Sequence, residues 1–333
     1  MSGLLAGRKS DRISVANPTS IVSIELMETA DVHFPEAHLN PQAMADLAAA
    51  GYEILGFDTV MPEFSVQQES AALGCEVDWG SPAMMPDAKT HPFQNVEQIE
   101  IPENLLGKPS MRVVLEALEI LRRQYGHKVG IVGKVMGPWT LSYHLAGTQN
   151  FLLWTLTDPD RVRKFLDILK EVTVCFIQAQ FQAGADCVVL ADHATGDLIS
   201  PDAYRDFLLP IHREILSRAG GPIILHICGN CRDRLQYFVE AGFDAYHFEW
   251  QVNPEEAVKV VNGEMSLIGA INNTVTLLRG SPDDVYEQAR SCIEAGVDIL
   301  APECAIPLQT PIRNLKAIVA AAEEGVGYDK ETN

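Results

Sequence analysis

Short apolar runs alternate with longer amphipathic segments along the whole chain. Eight of these runs have the length of β-strands, and most are almost continuously apolar. That pattern is typical of parallel strands covered on both faces by helices. The eight predicted strands span residues 12–17, 52–57, 128–135, 186–192, 222–228, 245–250, 266–272 and 297–303.

Several segments between the runs begin with helix-start signals, in which a cap residue lies next to a proline. These signals predict helices over 159–184, 201–219 and 311–324. Because no G-x-G-x-x-G loop follows the first strand, the alternation favours a closed (β/α)₈ TIM barrel over an open α/β sheet. Because no low-complexity linker divides the chain, we expect one barrel domain over 1–333. We also expect a long irregular insertion at 60–110, after the second strand, and a frayed tail at 325–333.

The charge balance limits the general partners of the chain. It carries 25 basic and 45 acidic residues, a net charge of −20, which argues against nucleic acid, anionic membrane surfaces and polyanionic small molecules. Residues 1–9 lack the apolar stretch of a secretory signal, and no run approaches the roughly 18–20 apolar residues of a membrane span. We therefore expect a cytoplasmic protein.

Seven cysteines, an odd and scattered set, indicate reduced thiols or metal ligands rather than a disulfide framework. Cys175, Cys187 and Cys292 lie within apolar patterns, so we expect them to be buried core residues. Cys228 and Cys231 form a C-x-x-C pair, which alone could be redox-active or could bind zinc through both sulfurs. Because Cys231 falls in the turn after the strand, it ranks below Cys304 as a ligand.

Polar residues at the ends of three predicted strands point to a metal site. With a period of two, His226 and Cys228 face the same side of one strand end; Glu249 ends the next strand, and Cys304 follows the last. Chemistry in a barrel lies at the carboxyl ends of its strands, and imidazole and thiolate are preferred zinc ligands. We predict zinc bound by His226, Cys228 and Cys304, with Glu249 as fourth ligand or as a hydrogen-bonding neighbour. The alternative is that each is an ordinary core residue.

Asp192 ends the fourth predicted strand. We expect it to face the barrel mouth and to position substrate or a metal ligand. A carboxylate that merely caps the following loop is the competing interpretation.

Three segments carry a resemblance to a known family: 225–230 (LHICGN), 296–312 (GVDILAPECAIPLQTPI) and 197–208 (DLISPDAYRDFL). Weaker similarity extends along nearly the whole chain, including 137–140 (GPWT). The chain resembles the methylcobamide:coenzyme M methyltransferases of the uroporphyrinogen decarboxylase superfamily. The His-x-Cys…Cys zinc motif of that branch falls on His226, Cys228 and Cys304, and its fourth ligand before thiol binding falls on Glu249.

This resemblance implies methyl transfer from a methyl-Co(III) corrinoid to a thiol, most simply coenzyme M. Zinc would lower the pKa of the thiol, and Glu249 would hold zinc until the thiol displaces it. The corrinoid would be supplied by a separate methylated carrier protein. Lys134, Asn272 and Asn273 are candidates, by their position at strand ends, for binding the sulfonate of coenzyme M.

Two alternatives remain at this point. Uroporphyrinogen decarboxylase itself needs no metal but needs arginines near the first strand, and there is no arginine between Arg12 and Arg112. Asp58 does match its pattern, whereas Cys304 stands where its last-strand histidine is expected. The second alternative is a binding module with a structural zinc, although such sites usually have four protein ligands and are closed to solvent.

Overall fold

A computed structural model describes residues 12–93 and 95–324. The expectations for residues 1–9 and 325–333 lie outside these ranges. Eight parallel strands are arranged in the order β1-β8-β7-β6-β5-β4-β3-β2, each followed by helical structure, so the predicted (β/α)₈ barrel is confirmed. The strands are β1 Ser14–Val15, β2 Thr59–Val60, β3 Gly130–Met136, β4 Cys187–Ala191, β5 Ile223–His226, β6 Ala245–His247, β7 Ser266–Ile271 and β8 Ile299–Pro302.

Side chains close the seam between β1 and β2. The Asp58 amide donates to the Val15 carbonyl at 2.8 Å, and the Val15 amide donates to Asp58 Oδ2 at 2.8 Å. Arg12 donates to both Asp58 oxygens at 2.9 and 2.8 Å. Because Asp58 precedes β2, it lies at the amino end of the barrel, opposite the mouth, where it joins the first two strands.

Helices cover the outside of the barrel. Those of the first half are Ile24–Ala30, Glu36–Leu39, Pro41–Glu53, Gln68–Ala72, Pro109–Tyr125, Pro138–Ala146, Thr148–Thr157 and Pro159–Ala183. Those of the second half are Pro201–Ala203, continued by the π-helix Tyr204–Leu208 and by Leu209–Ala219, then Leu235–Ala241, Pro254–Val261, the π-helix Asn273–Leu278, Pro282–Glu294 and Ile312–Glu323. Short 3₁₀ turns lie at Val96–Gln98 and Arg232–Arg234. The three predicted helices are present within a residue or two, and Asp158 and Ser200 cap two of them.

The strand predicted over 52–57 is wrong. Pro41–Glu53 is a helix, and its last turn continues to Phe57 through bonds such as Gly56 N to Tyr52 O at 3.0 Å. A short apolar run without clear periodicity fits either a buried helix end or a strand. The second strand instead begins at Thr59, after the residues that the prediction assigned to it.

The insertion after β2 has some structure of its own. It contains the helix Gln68–Ala72 and a small antiparallel hairpin, Val77–Asp78 with Asp87–Ala88. An insertion is therefore present where the sequence predicts it, after the second strand, but it is not irregular throughout. None of the helices in the described chain is long and apolar enough to cross a membrane.

Inward-facing side chains fill the lower part of the barrel. This layer is apolar and includes Val132, Val189, Ile224 and Ile268. Cys187 belongs to it, as expected, and Cys292 is buried between the helices and the strands, whereas Cys175 is only partly buried. Above this apolar floor, the inward positions become polar, and the candidate site begins there.

Candidate metal centre

Three donor atoms meet at the mouth of the barrel. His226 Nε2 lies 3.1 Å from Cys228 Sγ and 3.4 Å from Cys304 Sγ, and the two sulfurs are 3.3 Å apart. Among residues 12–93 and 95–324, this is the one group of three or more possible metal ligands whose donor atoms all lie within 4.8 Å of one another. Cys231 is buried nearby, but its sulfur turns away and contacts the carbonyl of Cys228 at 3.6 Å.

The local chain explains this convergence. His226 is the last residue of β5, and Cys228 follows with the same side-chain direction. The chain then turns at Gly229, whose φ of +77° places it in the left-handed region, and a Cβ there would lie 2.3 Å from Thr195 Oγ1. Cys304 comes from the end of β8, three strands away around the barrel. The site therefore exists only in the folded barrel.

Backbone carbonyls fix the orientation of the two histidines at the site. His226 Nδ1 lies 3.2 Å from the His247 carbonyl, and His247 Nε2 lies 2.7 Å from the Pro302 carbonyl. Because a carbonyl oxygen only accepts, each of these nitrogens must carry the proton. His226 Nε2 is thereby left facing the two sulfurs, the arrangement usual for a histidine ligand oriented by a carbonyl.

Electrostatics favour a thiolate at the site. The hydrogen bond between the two thiols lowers the pKa of Cys304 and raises the pKa of Cys228. Burial opposes ionisation of Cys304, whereas the neighbouring His226 favours it. Burial alone would lower the pKa of His226, but the charge of Cys304 and the hydrogen bond to it raise that pKa overall. Metal ligands must be thiolates and a neutral imidazole, so the lowered pKa of Cys304 favours binding, whereas a metal ion would have to displace the protons that the raised pKa values of Cys228 and His226 retain.

The donor set fits zinc. Zinc bonds nitrogen at about 2.0–2.1 Å and sulfur at about 2.3 Å, so one ion on the open side of this triangle can reach all three atoms. The hydrogen-bonded carbonyl of His247 behind the imidazole of His226 completes the pattern of a metal-binding histidine. Two sulfurs and one nitrogen also leave one position for a further ligand.

Glu249 lies beside the cluster, two residues beyond β6. Its half-buried carboxylate lies near the Gly229 amide and the Cys228 thiol, both of which lower its pKa, and it interacts with the charges of Cys304 and His226. Burial raises the pKa of Glu249, and the charge of Cys304 raises it further. These contacts place Glu249 next to the donor atoms of His226, Cys228 and Cys304, which we call the metal-binding triangle because they fit zinc. Zinc binding and the role of Glu249 as fourth ligand stay predictions.

Asp192 is fully buried behind this surface. Its Oδ1 accepts from the Thr140 amide at 2.8 Å, and its Oδ2 lies 3.0 Å from His212 Nε2. Tyr204 contacts the other ring nitrogen of His212 at 2.8 Å. Asp192 therefore joins the start of the helix after β3 to the helix after β4, while its own amide bonds the His226 carbonyl. We expect any effect on the metal centre to pass through this scaffold.

The three candidates for binding an acceptor tail lie in different places. Lys134 is buried inside the barrel, and its Nζ donates to the Ser65 carbonyl at 2.9 Å. Asn272 caps the π-helix after β7, with its side-chain oxygen accepting from the Thr274 and Val275 amides. Asn273 donates to the Ala305 carbonyl at 2.8 Å. Lys134 carries a charge, which interacts with that of Cys304 in the metal-binding triangle.

Two residues around the site were missed in the sequence. His247 shares its strand face with Glu249, a period-two signal that was available. Glu303, next to Cys304, accepts from the Trp250 amide at 3.0 Å and from the Asn273 amide at 2.8 Å, tying together the loops after β6, β7 and β8. Burial raises the pKa of Glu303 to about 7.

Comparison with known proteins places this geometry among enzymes. The family model described as uroporphyrinogen decarboxylase (URO-D) matches residues 2–325. A methylated-thiol–coenzyme M methyltransferase of Methanosarcina mazei is 35% identical over 97% of this chain and 88% of its own. The methylcobamide:CoM methyltransferase MtaA of Methanosarcina barkeri is 34% identical, covering 96% and 95%.

A solved structure of a methyltransferase from Methanosarcina mazei superposes with a TM-score of 0.93 at 34% identity, covering 97% of this chain and 96% of that one. The uroporphyrinogen decarboxylase of Carboxydothermus hydrogenoformans is more distant, 26% identical over 70% of this chain and 69% of its own.

Proposed function

Since the chain belongs to the uroporphyrinogen decarboxylase family and, within it, to the methylcobamide:coenzyme M methyltransferases, we propose that it methylates a thiol activated at the His226–Cys228–Cys304 centre. The methyl donor is a methyl-Co(III) corrinoid presented by a separate carrier protein, and coenzyme M is the first candidate acceptor. The observation that carries this proposal is the triangle of three donor atoms, each within 3.4 Å of the others, at the barrel mouth.

When bound, zinc supplies a positive charge that lowers the pKa of the acceptor thiol, so that a thiolate is present near neutral pH. His226, Cys228 and Cys304 would hold the ion, with Glu249 positioned to complete the set. The acceptor thiolate attacks the methyl carbon, forming a sulfur–carbon bond. The carbon–cobalt bond breaks, its electron pair stays on cobalt, and Co(III) becomes Co(I). The proton of the thiol passes to solvent.

The residues around the centre fit this division of labour. The His247 carbonyl holds the imidazole of His226, and the carboxylate of Glu303 holds the backbone at Trp250, whose side chain is half exposed beside the site. Such bonds keep the donor atoms in place at the mouth, where the carrier protein would dock. A purely structural zinc site does not need an open side of this kind.

Decarboxylation of a porphyrinogen is less well supported. Asp58, the residue that matches the decarboxylase pattern, is bonded to Arg12 and Val15 at the amino end of the barrel. It is therefore not available at the mouth, where substrates of barrel enzymes bind. The lower identity to the decarboxylases agrees with this reading.

The direct test is anaerobic incubation of the purified protein with methylcobalamin and a panel of thiols, following Co(I) formation by its absorbance. We expect thiol-dependent Co(I) formation that is lost in Cys228→Ala. Glu119→Gln, an exposed change on the outer helix Pro109–Tyr125, is the matched control and should keep full activity. Absence of Co(I) with every thiol would refute the proposal.

A further inference from the structure

A second polar group lies inside the barrel, separate from the metal-binding triangle. We call Glu63, Glu69, Lys134 and His38 the inner polar cluster. Their side chains are 0–3% exposed. They come from β3, from the segment and helix after β2, and from the helix Glu36–Leu39. Mutual charge interactions link Lys134 with Glu63, Glu69 and His38, so the four lie close together.

Most hydrogen-bonding atoms of this cluster have nothing to bond. Within the described ranges, five of these atoms have no hydrogen-bond partner: both oxygens of Glu63, one oxygen of Glu69 and both nitrogens of His38. Buried polar side chains are normally hydrogen-bonded, and a buried carboxylate without a partner is costly. The environment is also rigid, because Gln180 bonds both the amide and the carbonyl of Lys134, at 2.9 and 2.6 Å. The cluster is thus held in place without being satisfied.

The cluster shares its space with the metal centre. His226 faces the barrel interior from the end of β5, two residues beyond Ile224 of the apolar floor, and the charge of Cys304 acts on Lys134. Lys134 also lies on the inward face of β3, directly above the apolar floor at Val132. The rest of a thiol whose sulfur is at the triangle would therefore reach this cluster by extending into the barrel interior.

The donor and acceptor balance of the cluster indicates what that molecule carries. As carboxylates, Glu63 and Glu69 offer only acceptors and need hydrogen-bond donors. Burial raises the pKa of both groups, so a cationic donor is what would hold them in this charged form. Lys134 uses one of its three donors on the Ser65 carbonyl and can serve a carboxylate with the others. A tail that is only anionic would satisfy Lys134 but would leave the carboxylates without donors and add negative charge next to them.

We propose that the inner polar cluster binds the ammonium and carboxylate groups of an amino-acid thiol, and that such thiols are acceptors in the methyl transfer. This inference rests on the proposed function for the chemistry at sulfur. The ammonium meets Glu63 and Glu69, and the carboxylate meets Lys134. Homocysteine is the matched probe, because two methylene groups separate its sulfur from the charged end, as in coenzyme M.

Binding of the S-methyl products tests the tail without the reactive thiol. By isothermal titration calorimetry, methionine should bind the zinc-loaded protein at least about tenfold more tightly than 2-(methylthio)ethanesulfonate. Glu63→Gln keeps the shape of the side chain but removes its charge. It should therefore raise the Kd of methionine at least about tenfold and change the Kd of 2-(methylthio)ethanesulfonate by less than about twofold. Glu119→Gln should change neither.

Folding of the variant is checked by its melting temperature. Because Glu63→Gln removes a buried carboxylate that bonds nothing in the described chain, we expect no decrease. The preference of the wild-type protein for methionine over the sulfonate tests the inference without any variant.

Equal or weaker binding of methionine, or no effect of Glu63→Gln, would overturn the inference, even if coenzyme M forms Co(I). Conversely, Glu63-dependent methionine binding without Co(I) from any thiol would support the cluster and refute methyl transfer.

Discussion

Removing the carboxylate of Asp192 tests whether this residue supports the fold or the reaction. In Asp192→Ala, the Thr140 amide and His212 Nε2 lose a buried partner at 2.8 and 3.0 Å. A buried group left unsatisfied costs about 1–3 kcal/mol, so the two together should lower the free energy of unfolding by roughly 2–6 kcal/mol. Asp192→Asn can still accept from Thr140 and can donate to the other tautomer of His212, whose second nitrogen then donates to Tyr204. We expect it to lose only about 1–2 kcal/mol.

The assay is urea unfolding, followed by circular dichroism and by tryptophan fluorescence, with zinc content measured on the same samples. Gly137→Ala is a second way to disturb the same bond, because a Cβ there would lie 2.2 Å from Asp192 Cγ. It should be destabilised although Asp192 is still present. If Asp192→Ala unfolds within about 0.5 kcal/mol of wild type, the buried network does not stabilise the protein as argued. If Asp192→Asn is stable but loses zinc or turnover, Asp192 serves the reaction instead.

The remaining predictions concern the metal centre and its surroundings. Cys304→Ala should lose most of its zinc by metal analysis, whereas Cys231→Ala should retain it, and the reverse would contradict the ligand assignment. Glu249→Gln should bind zinc more weakly than the wild type, yet it should lose less turnover than Cys304→Ala. When thiol is added to the wild type, zinc X-ray absorption should show one more sulfur ligand. An unchanged sulfur count would indicate a structural zinc. Glu303→Gln can still accept from one of the two loop amides, at Trp250 and Asn273, but places an amide nitrogen opposite the other. It should therefore raise KM for the corrinoid carrier while leaving the zinc content nearly unchanged.

The barrel itself is readable from the sequence because its strands are buried on both faces. Seven of the eight predicted strands overlap the observed ones, since continuous apolar runs bounded by turn residues are distinctive for parallel strands. The strand predicted at 52–57 is wrong because the true second strand lacks such an apolar run. β2 is only two residues long, and side chains of Asp58 and Thr59 replace much of its pairing with β1, so no apolar run marks it.

The convergence of His226, Cys228 and Cys304 was also readable, because two of them are two residues apart at one strand end and the third follows another strand; that they bind zinc stays a prediction. Barrel closure then brings strand ends together, which turns a pattern in the sequence into a distance. The position of Glu249 beside them followed from the same rule, and its role as a ligand stays a prediction. Glu303 did not, because its role depends on which backbone amides the loops after β6 and β7 present to it.

The inner polar cluster could not be predicted from the sequence. Glu63 and Glu69 lie in the insertion, and His38 lies on a short helix before β2, so no shared spacing connects them with Lys134. What distinguishes them is the lack of a partner, which becomes visible only when the surrounding atoms are in place. A chain that retains a buried carboxylate with nothing to bond gives up stability at that position. If a ligand supplies the missing donors, stability is recovered on binding in proportion to the ligand's affinity. The unsatisfied atoms of Glu63, rather than any motif, are therefore the strongest indication of what the barrel binds beyond the thiol sulfur.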